Sequence, residues 1–573
     1  MQIIKSLFKL LIVFVCPIFS FAQSTTLMEG DKSEHFFERL DIKQQRNPSL
    51  ILYNSRPLTR KLITQQAQNA DSLNKLNPNS KEYALSAIDK YDLNEVLINN
   101  LEWIDSNKDF ALSKKPFLNT FYKTKANFYE VDTKDFYLAV NPVIQQIQAK
   151  ESGNDKRVYL NSKGLTLRGL IAKKVGFSFY LTDNQERMPS YALQRNTNNG
   201  YPYVPGVGYF KNFKNDITAY DYFENRGSFY FNVAKYFDFQ FGYDKNFIGD
   251  GYRSLFLSTN SAPYLFLKFN MRIWKLNYQT IYMELINQRS NLDISGDYQF
   301  PKKYGVVHHL SLNATPWLNV GLFENVMFSR ADHYDFSYLN PVIFLIAAQQ
   351  QNGSPDKTTV GLDFKANVAH KAQVYGQLLF NEFVLNEITH YSRGWWANKQ
   401  GVQLGVKYID AFKIKNLDLQ LEGNIVRPFT YTHNDSVSNY SNYNQPMAHP
   451  LGANFDEVIG IARYRPLNKL YLEAKVIAYR QGLDSAGENF GSNIFLDYTT
   501  RPRDYGFSVG SGVLAKCVNL NLSASYEIKE NLFIDAVFQT RTYKVDAEPV
   551  LNNNSTLFSL GIRWNATQRM YDY

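Results

Sequence analysis

A two-residue rhythm of apolar and polar side chains sets in near residue 136 and limits this chain more than any other feature. In 414–427, Leu417, Leu419, Leu421 and Ile425 alternate with Asp418, Gln420, Glu422 and Asn424. In 236–245, Phe237, Phe239, Phe241 and Tyr243 alternate with Asp238, Gln240, Gly242 and Asp244, and 516–528 repeats the pattern from Val518 to Ser525. Successive side chains of a strand point to opposite faces, so each segment carries one greasy and one wet face. The segments 136–149, 157–172, 174–183, 227–234, 236–245, 263–273, 275–287, 304–314, 316–329, 357–369, 371–382, 399–410, 414–427, 454–465, 469–481, 516–528, 532–543 and 556–566 give about 18 strands, with 16 as the alternative. The first is the weakest, because Pro142 has no N–H for a ladder.

The connections decide between architectures. Tight links near 173, 235, 274, 315, 370, 411–413, 466–468 and 529–531 alternate with long ones at 184–226, 246–262, 288–303, 330–356, 383–398, 428–453, 482–515 and 544–555. A β-sandwich accounts for the rhythm but gives no reason for every second link to be long. An outer-membrane barrel has short turns on one side and long loops on the other. The fold class is therefore an all-β transmembrane barrel with its apolar faces turned to lipid and its polar faces turned to a wet lumen. The abundance of Tyr (40) and Phe (42) suits the aromatic girdles of such a barrel.

The N-terminal region differs. Lys5 and Lys9, the apolar run from Leu10 to Phe19 and the small-residue end at Ala22 have the layout of a cleaved signal peptide over 1–22. Residues 23–132 hold helical spacing in Ser80 to Asn107 and a second short helix over Asp31 to Arg46. They read as a mostly helical domain in the periplasm or plugging the barrel, followed by the barrel over 133–573. After the signal segment no run reaches the 18 apolar residues of a membrane helix; the longest is Val342 to Ala348. Without Cys16, Cys517 stands alone, so no disulfide staples the fold. A net charge of +9 without a basic run gives no case for nucleic acid.

Catalytic and metal signatures are sparse. Gly249, Asp250, Gly251 and Arg253 lie in FIGDGYRS, where the glycines suggest a nucleotide loop, but no helix follows to hold a phosphate. The preferred reading is a tight loop turning on its glycines; Arg253 could pair with Asp250 inside a loop turned into the lumen, as a constriction or a structural tie. His308 and His309 are strand neighbours facing opposite sides and cannot share a metal, while His433 and His449 lack a ligand pattern around them. Neither G-x-S-x-G nor H-E-x-x-H occurs. We expect no enzyme, no metal and no cofactor; a barrel enzyme would need a Ser–His or Asp–His pair on the lumen wall or rim.

Binding residues concentrate in long loops. Tyr201, Tyr203, Trp395, Trp396, Tyr440, Tyr443, Asn444 and Gln445 place flat rings beside amides, which is what sugar faces and hydroxyls require. The competing reading of the same rings is an upper aromatic belt and loop-to-loop packing.

Four blocks, FIGDGYRSLFLSTNSAPYLFLK (247–268), NPVIFLIAAQQQNGSPDKTTVGLDFKA (340–366), GWWANKQGVQLGVKY (394–408) and NYNQPMAHPLGANF (442–455), resemble RemB-type gliding motility proteins of Bacteroidota, relatives of the Wzi-type capsule assembly proteins. The resemblance implies an 18-stranded outer-membrane barrel with a small helical domain. It also implies a role in gliding and surface adhesion or in capsule attachment and assembly. The implied partners are outer-membrane lipid, lipopolysaccharide, extracellular polysaccharide, and gliding or type IX secretion components. The chain ends in a barrel strand rather than a sorting domain, so it would be membrane-resident. The alternative function is a porin or substrate-specific channel.

Overall fold

A computed structural model describes residues 24–573 except 106, 199–202, 215, 235, 289–299, 331–332, 343, 354–355, 383, 436 and 486; the expected signal peptide and Tyr201 lie outside the described residues. The strands are β1 (Phe136–Glu151), β2 (Val158–Ile171), β3 (Val175–Arg187), β4 (Asp216–Ala234), β5 (Phe237–Asp244), β6 (Tyr264–Ile273), β7 (Leu276–Ile286), β8 (Lys302–Thr315) and β9 (Leu318–Phe328). They continue as β10 (Lys357–Val368), β11 (Ala372–Glu382), β12 (Lys399–Tyr408), β13 (Leu417–Val426), β14 (Phe455–Leu467), β15 (Leu470–Leu483), β16 (Val513–Lys529), β17 (Leu532–Val545) and β18 (Asn553–Trp564). Each pairs antiparallel with the next, and β18 returns to β1 from Leu557↔Glu151 to Trp564↔Ile144, closing an 18-stranded barrel. No described helix is long and apolar enough to cross a membrane.

Sequence alternation sets the two faces. Leu421, Ile425, Val458, Val518, Phe558 and Leu560 are exposed on the outside, while Gln420, Glu422, Asn424 and Asn519 are buried inside. The tight links turn on left-handed residues such as Ala172 and Lys173 (φ 50° and 52°) or Ala369 and His370 (φ 54° and 57°). Two successive positive φ values match the right-handed twist of the strands they join. Pro142 is tolerated because it falls in a gap. The β18 ladder stops at Ile144, a short strand Tyr129–Asp132 takes over at Val140, and the Pro142 carbonyl accepts from Asn565 Nδ2 at 2.8 Å. β4 runs 19 residues, far beyond the expected 227–234, so Tyr220 and Tyr222 belong to its inner face rather than to a loop.

Helices α1 (Lys32–Lys43), α2 (Arg60–Leu76) and α3 (Ala87–Asn99) close the short-turn end. Asp31 caps α1, Thr59 caps α2, and Ser86 with Asp89 forms a capping box on α3. Phe36, Phe37, Leu40, Ile63, Ala67 and Val96 are their shared core. Polar groups fasten this domain to the barrel turns. Lys32 Nζ reaches Glu95 and Glu527 at 2.6 Å and Glu530 at 3.0 Å. Arg39 pairs with Asp89 and Asp410 at 3.1 Å and also with Asp418.

The lumen differs from the expected wet interior. Its long-loop half is filled by an apolar core in which Phe256, Leu257, Tyr431, Tyr440, Met447 and Leu451 from inward-folded loops meet Val307, Phe323, Leu379, Ile459 and Ile477 of the wall. Closing eighteen strands leaves more space than wall side chains alone can fill, and here the loops occupy it. The chain also continues past its last strand. Residues 565–573 turn into the barrel, where Arg569 meets Glu186 at 3.0 Å and Asp572 meets Lys475 at 2.8 Å.

On the outside, the link after β9 folds over the wall. Helix α4 (Leu345–Gln351) covers outward Tyr304, Val306 and His308, and the Phe344 and Ile346 N–H groups donate to Glu324 at 2.6 and 3.1 Å. His308 and His309 do face opposite sides: His309 Nε2 lies 3.0 Å from Asp363 inside, and His308 lies 3.8 Å from Glu324 outside.

Candidate functional site

The glycine loop is a strut across the lumen. Backbone N–H groups of Tyr252 and Arg253 donate to the two oxygens of Glu422 on β13 at 2.6 and 3.0 Å. Gly251 permits that approach, since a Cβ there would lie 2.6 Å from Glu422 Oε2; Gly249 (φ 139°) passes equally close to Gln377 of β11. Arg253 and Asp250 do not pair with each other. Arg253 faces Glu457 of β14 at 3.4 Å and Asp250 faces Lys365 of β10 at 3.1 Å. The expected internal ion pair is thus replaced by two pairs to the opposite wall, which fix the loop more firmly than a bond within it.

The candidate sugar residues divide. Tyr440 is buried, donates to the Phe256 carbonyl at 2.7 Å and stacks on Tyr431 at 5.8 Å. Gln445 is clamped to the neighbouring loop, accepting from Gly206 N and donating to Val207 O, both at 2.7 Å. Tyr203 and Asn444 are buried in the same interior, and Tyr443 is half-buried with its ring against Gly208. All five are committed to loop packing. A sequence cannot separate that packing from sugar recognition, because both draw on rings beside amides.

Trp395 and Trp396 belong to a different place. The loops 384–398 and 487–512 pair edge to edge at the outer rim: Gly506 N and Phe507 N donate to Arg393 O and Gly394 O, and Trp396 N donates to Asp504 O, all at 2.9 Å. Gly394 (φ 63°) has no room for a side chain, with Phe507 O 2.5 Å from its Cβ position. Arg501 lies 3.9 Å over the Trp396 ring, Tyr498 is 4.8 Å from it, and Lys399 sits 3.9 Å over Tyr498. Such cation–ring contacts hold the indole face-on. Arg427 ties the rim together by donating to Asn398 O at 2.7 Å and Trp395 O at 3.2 Å, with Tyr391 over its guanidinium at 4.7 Å. The platform offers Tyr391 (51% exposed), Tyr505 (47%), Arg393 and Arg503 to solvent. Tyr391, Tyr498, Arg501 and Tyr505 were not singled out from the sequence; Tyr391 lies in the same loop as Trp396, whereas Tyr498, Arg501 and Tyr505 come near only when two loops about a hundred residues apart in sequence pair.

Acid–histidine pairs are present. His309–Asp363 (3.0 Å), His449–Glu457 (2.7 Å) and His35–Asp418 (3.1 Å) all lie in the interior. Among the described residues, no Ser, Thr or Cys side chain is hydrogen-bonded to any of these imidazoles. Below the strut, a chamber of about 720 Å³ lies between the helical domain, the terminal segment and the wall, lined by charged groups including Arg60, Arg168, Arg226 and Lys245.

No family model and no curated protein matches the sequence. Solved structures do match. Wzi, an outer-membrane carbohydrate-binding β-barrel involved in group 1 capsule assembly in Escherichia coli, superposes with a TM-score of 0.56 at 12% identity, covering 95% of this chain and 100% of Wzi. OprD of Pseudomonas aeruginosa gives a TM-score of 0.40 at 10% identity over 74% of this chain and 94% of OprD. OccAB2 of Acinetobacter baumannii gives 0.41 at 10% over 74% and 98%. The chain therefore has the closed 18-stranded fold of an outer-membrane β-barrel, and its full-length structural likeness is to Wzi.

Proposed function

We propose that this chain is a non-enzymatic outer-membrane barrel that holds extracellular polysaccharide on its outer rim. The observation that carries this reading is the rigid platform around Trp396, built on a barrel whose lumen is filled in its long-loop half. Long loops of such barrels face outward and short turns face the periplasm. The platform is then extracellular, and the helical domain is the periplasmic closure. Flat, half-exposed rings flanked by Arg393, Arg501 and Arg503 suit stacking on sugar faces together with acidic substituents. The carbohydrate binding described for Wzi supports the same reading. A role in gliding, adhesion or capsule assembly rests on the four sequence blocks, and lipopolysaccharide and type IX secretion components are the partners it brings.

The test is affinity electrophoresis of purified protein through gels containing polysaccharide extracted from the native cells. Trp396→Ala with Tyr391→Ala is expected to weaken retention about tenfold, or about 1.4 kcal/mol. Tyr440→Phe, inside the loop packing, is expected to leave retention unchanged. Equal retention of the double variant sinks the platform. Steady single-channel conductance of the unaltered protein in planar bilayers would instead favour a porin.

A further inference from the structure

Between α3 and β1 the chain forms a hairpin that neither the plug nor the platform uses. Ser113 N donates to Lys123 O and Lys125 N to Ala111 O at 2.9 Å, and Phe117 and Phe121 exchange backbone bonds of 2.8 and 2.9 Å. The tip turns on Leu118 and Asn119, both left-handed (φ 50° and 54°). Leucine seldom adopts that conformation, and here it presents its own side chain at the apex. Phe117 is 60% exposed and Leu118 70%, with exposed Phe110 and Leu112 behind them. Lys114, Lys115 and Lys123 surround this tip, exposed and without a carboxylate in salt-bridge range among the described residues.

The base of the hairpin fixes where this apolar tip lies. Tyr122 stacks on Trp564 with centroids 6.1 Å apart and planes 7° from parallel, and Lys529 sits 3.6 Å over Tyr122. Trp564 shares the outward face of β18 with exposed Phe558, Leu560 and Ile562. Tyr122 is therefore outside the cylinder, at the short-turn end of the lipid-facing belt. An apolar tip continuous with that belt, collared by lysines, matches what holds a peripheral segment at a phospholipid surface: rings and leucines at the acyl boundary, ammonium groups at the phosphates.

We propose that residues 109–128 form a lipid anchor that inserts Phe117 and Leu118 into the phospholipid leaflet at the periplasmic side. The proposal rests on the outer-membrane reading above. It fixes the helical domain to the membrane as well as to the barrel.

The full chain carrying Cys517→Ser and Leu118→Cys would be labelled with bimane. It would be reconstituted into vesicles of phosphatidylethanolamine and phosphatidylglycerol. Leu560→Cys, on the outward face of β18, serves as reference. The label at 118 is expected to lose emission to a nitroxide carried near the lipid headgroup and to be shielded from aqueous iodide. Changing Lys114, Lys115 and Lys123 to Glu is expected to return it to iodide. If the 118 label responds only to iodide while the 560 label responds to the nitroxide, the tip faces water or a protein partner and the anchor is overturned. If both respond only to iodide, the membrane barrel is overturned and the anchor falls with it.

Discussion

The two ends of the lumen are closed by different physics. At the long-loop end, Phe256, Leu257, Tyr431 and Met447 enter a core shared with the wall, so loops and barrel fold as one apolar unit. At the short-turn end, a separate helical domain with its own core is held by buried charges: Lys32 among three glutamates, and Arg39 among Asp89, Asp410 and Asp418. Apolar burial is non-directional and carries no charge for salt to screen. A buried ion pair adds little net stability, yet leaving one partner alone is strongly unfavourable. The outer closure is therefore built to be permanent, and the inner one to be specific and sensitive to solution conditions.

The largest expected effect tests the first half of that contrast. Phe256 is fully buried, stacks on Phe323 at 4.4 Å, and lies against Gly361, which has no space for a Cβ. Phe256→Ala should destabilise the detergent-solubilised protein by about 3–5 kcal/mol in denaturant titrations. A change that touches only the outer loops, with the barrel transition unmoved, would mean that loops and wall do not fold together.

Arg39→Met addresses the other end. It leaves Asp410 without its cation and Asp418 with His35 alone, while Lys43 still faces Asp89, so we expect about 3 kcal/mol, the low end for breaking a buried pair. Limited proteolysis should show the loss as early cleavage of residues 24–132 with the barrel intact. The pH dependence has two signs. Burial would raise the Asp89 carboxyl, but the Arg39 and Lys43 charges outweigh it and hold it well below the carboxylate range. Its contribution is present above the ordinary value and lost as pH falls. Burial lifts Glu34 to about 8 against the opposing Arg56 charge, and burial also raises Glu95, where Lys32 alone cannot neutralise the three carboxylates around it. Their contribution is present at low pH and lost as pH rises through about 8. Protection of the helical domain should therefore peak between the two limits, and 1 M salt should narrow the window. Protection that is flat with pH would remove charge from the account of this closure.

Where the sequence was legible follows from the same contrast. In β13 every second residue has one fate, Leu421 and Ile425 outside and Glu422 and Asn424 inside, so local alternation reports the wall. The lumen filling is not local. Tyr440 and Gln445 look like surface binding residues because nothing within 439–455 tells that their partners are Phe256 and Val207. Helix α2 is not legible in the sequence because its buried face is Leu62, Ile63, Thr64, Ala67, Ala70 and Asn74 in a polar sequence. His308 and Glu324, polar residues on outward strand faces, make sense only once α4 lies over them.

The smallest effect sharpens the comparison most. Ser86 does two things: its hydroxyl accepts from Asp89 N at 3.0 Å as the cap of α3, and it donates to Asn416 Oδ1 at 3.1 Å on the β12–β13 turn. Loss of a cap costs about 1 kcal/mol. If docking is a matter of charges alone, Ser86→Ala lowers the stability of the helical domain by that amount and leaves the salt dependence of its protection unchanged. If the neutral bond to Asn416 contributes to docking, Asn416→Ala in the Ser86→Ala background adds nothing further, while alone it loosens the domain. A double-mutant cycle read by hydrogen exchange of the α3 amides separates the two. Strict additivity would show that the bond between Ser86 and Asn416 contributes nothing to docking.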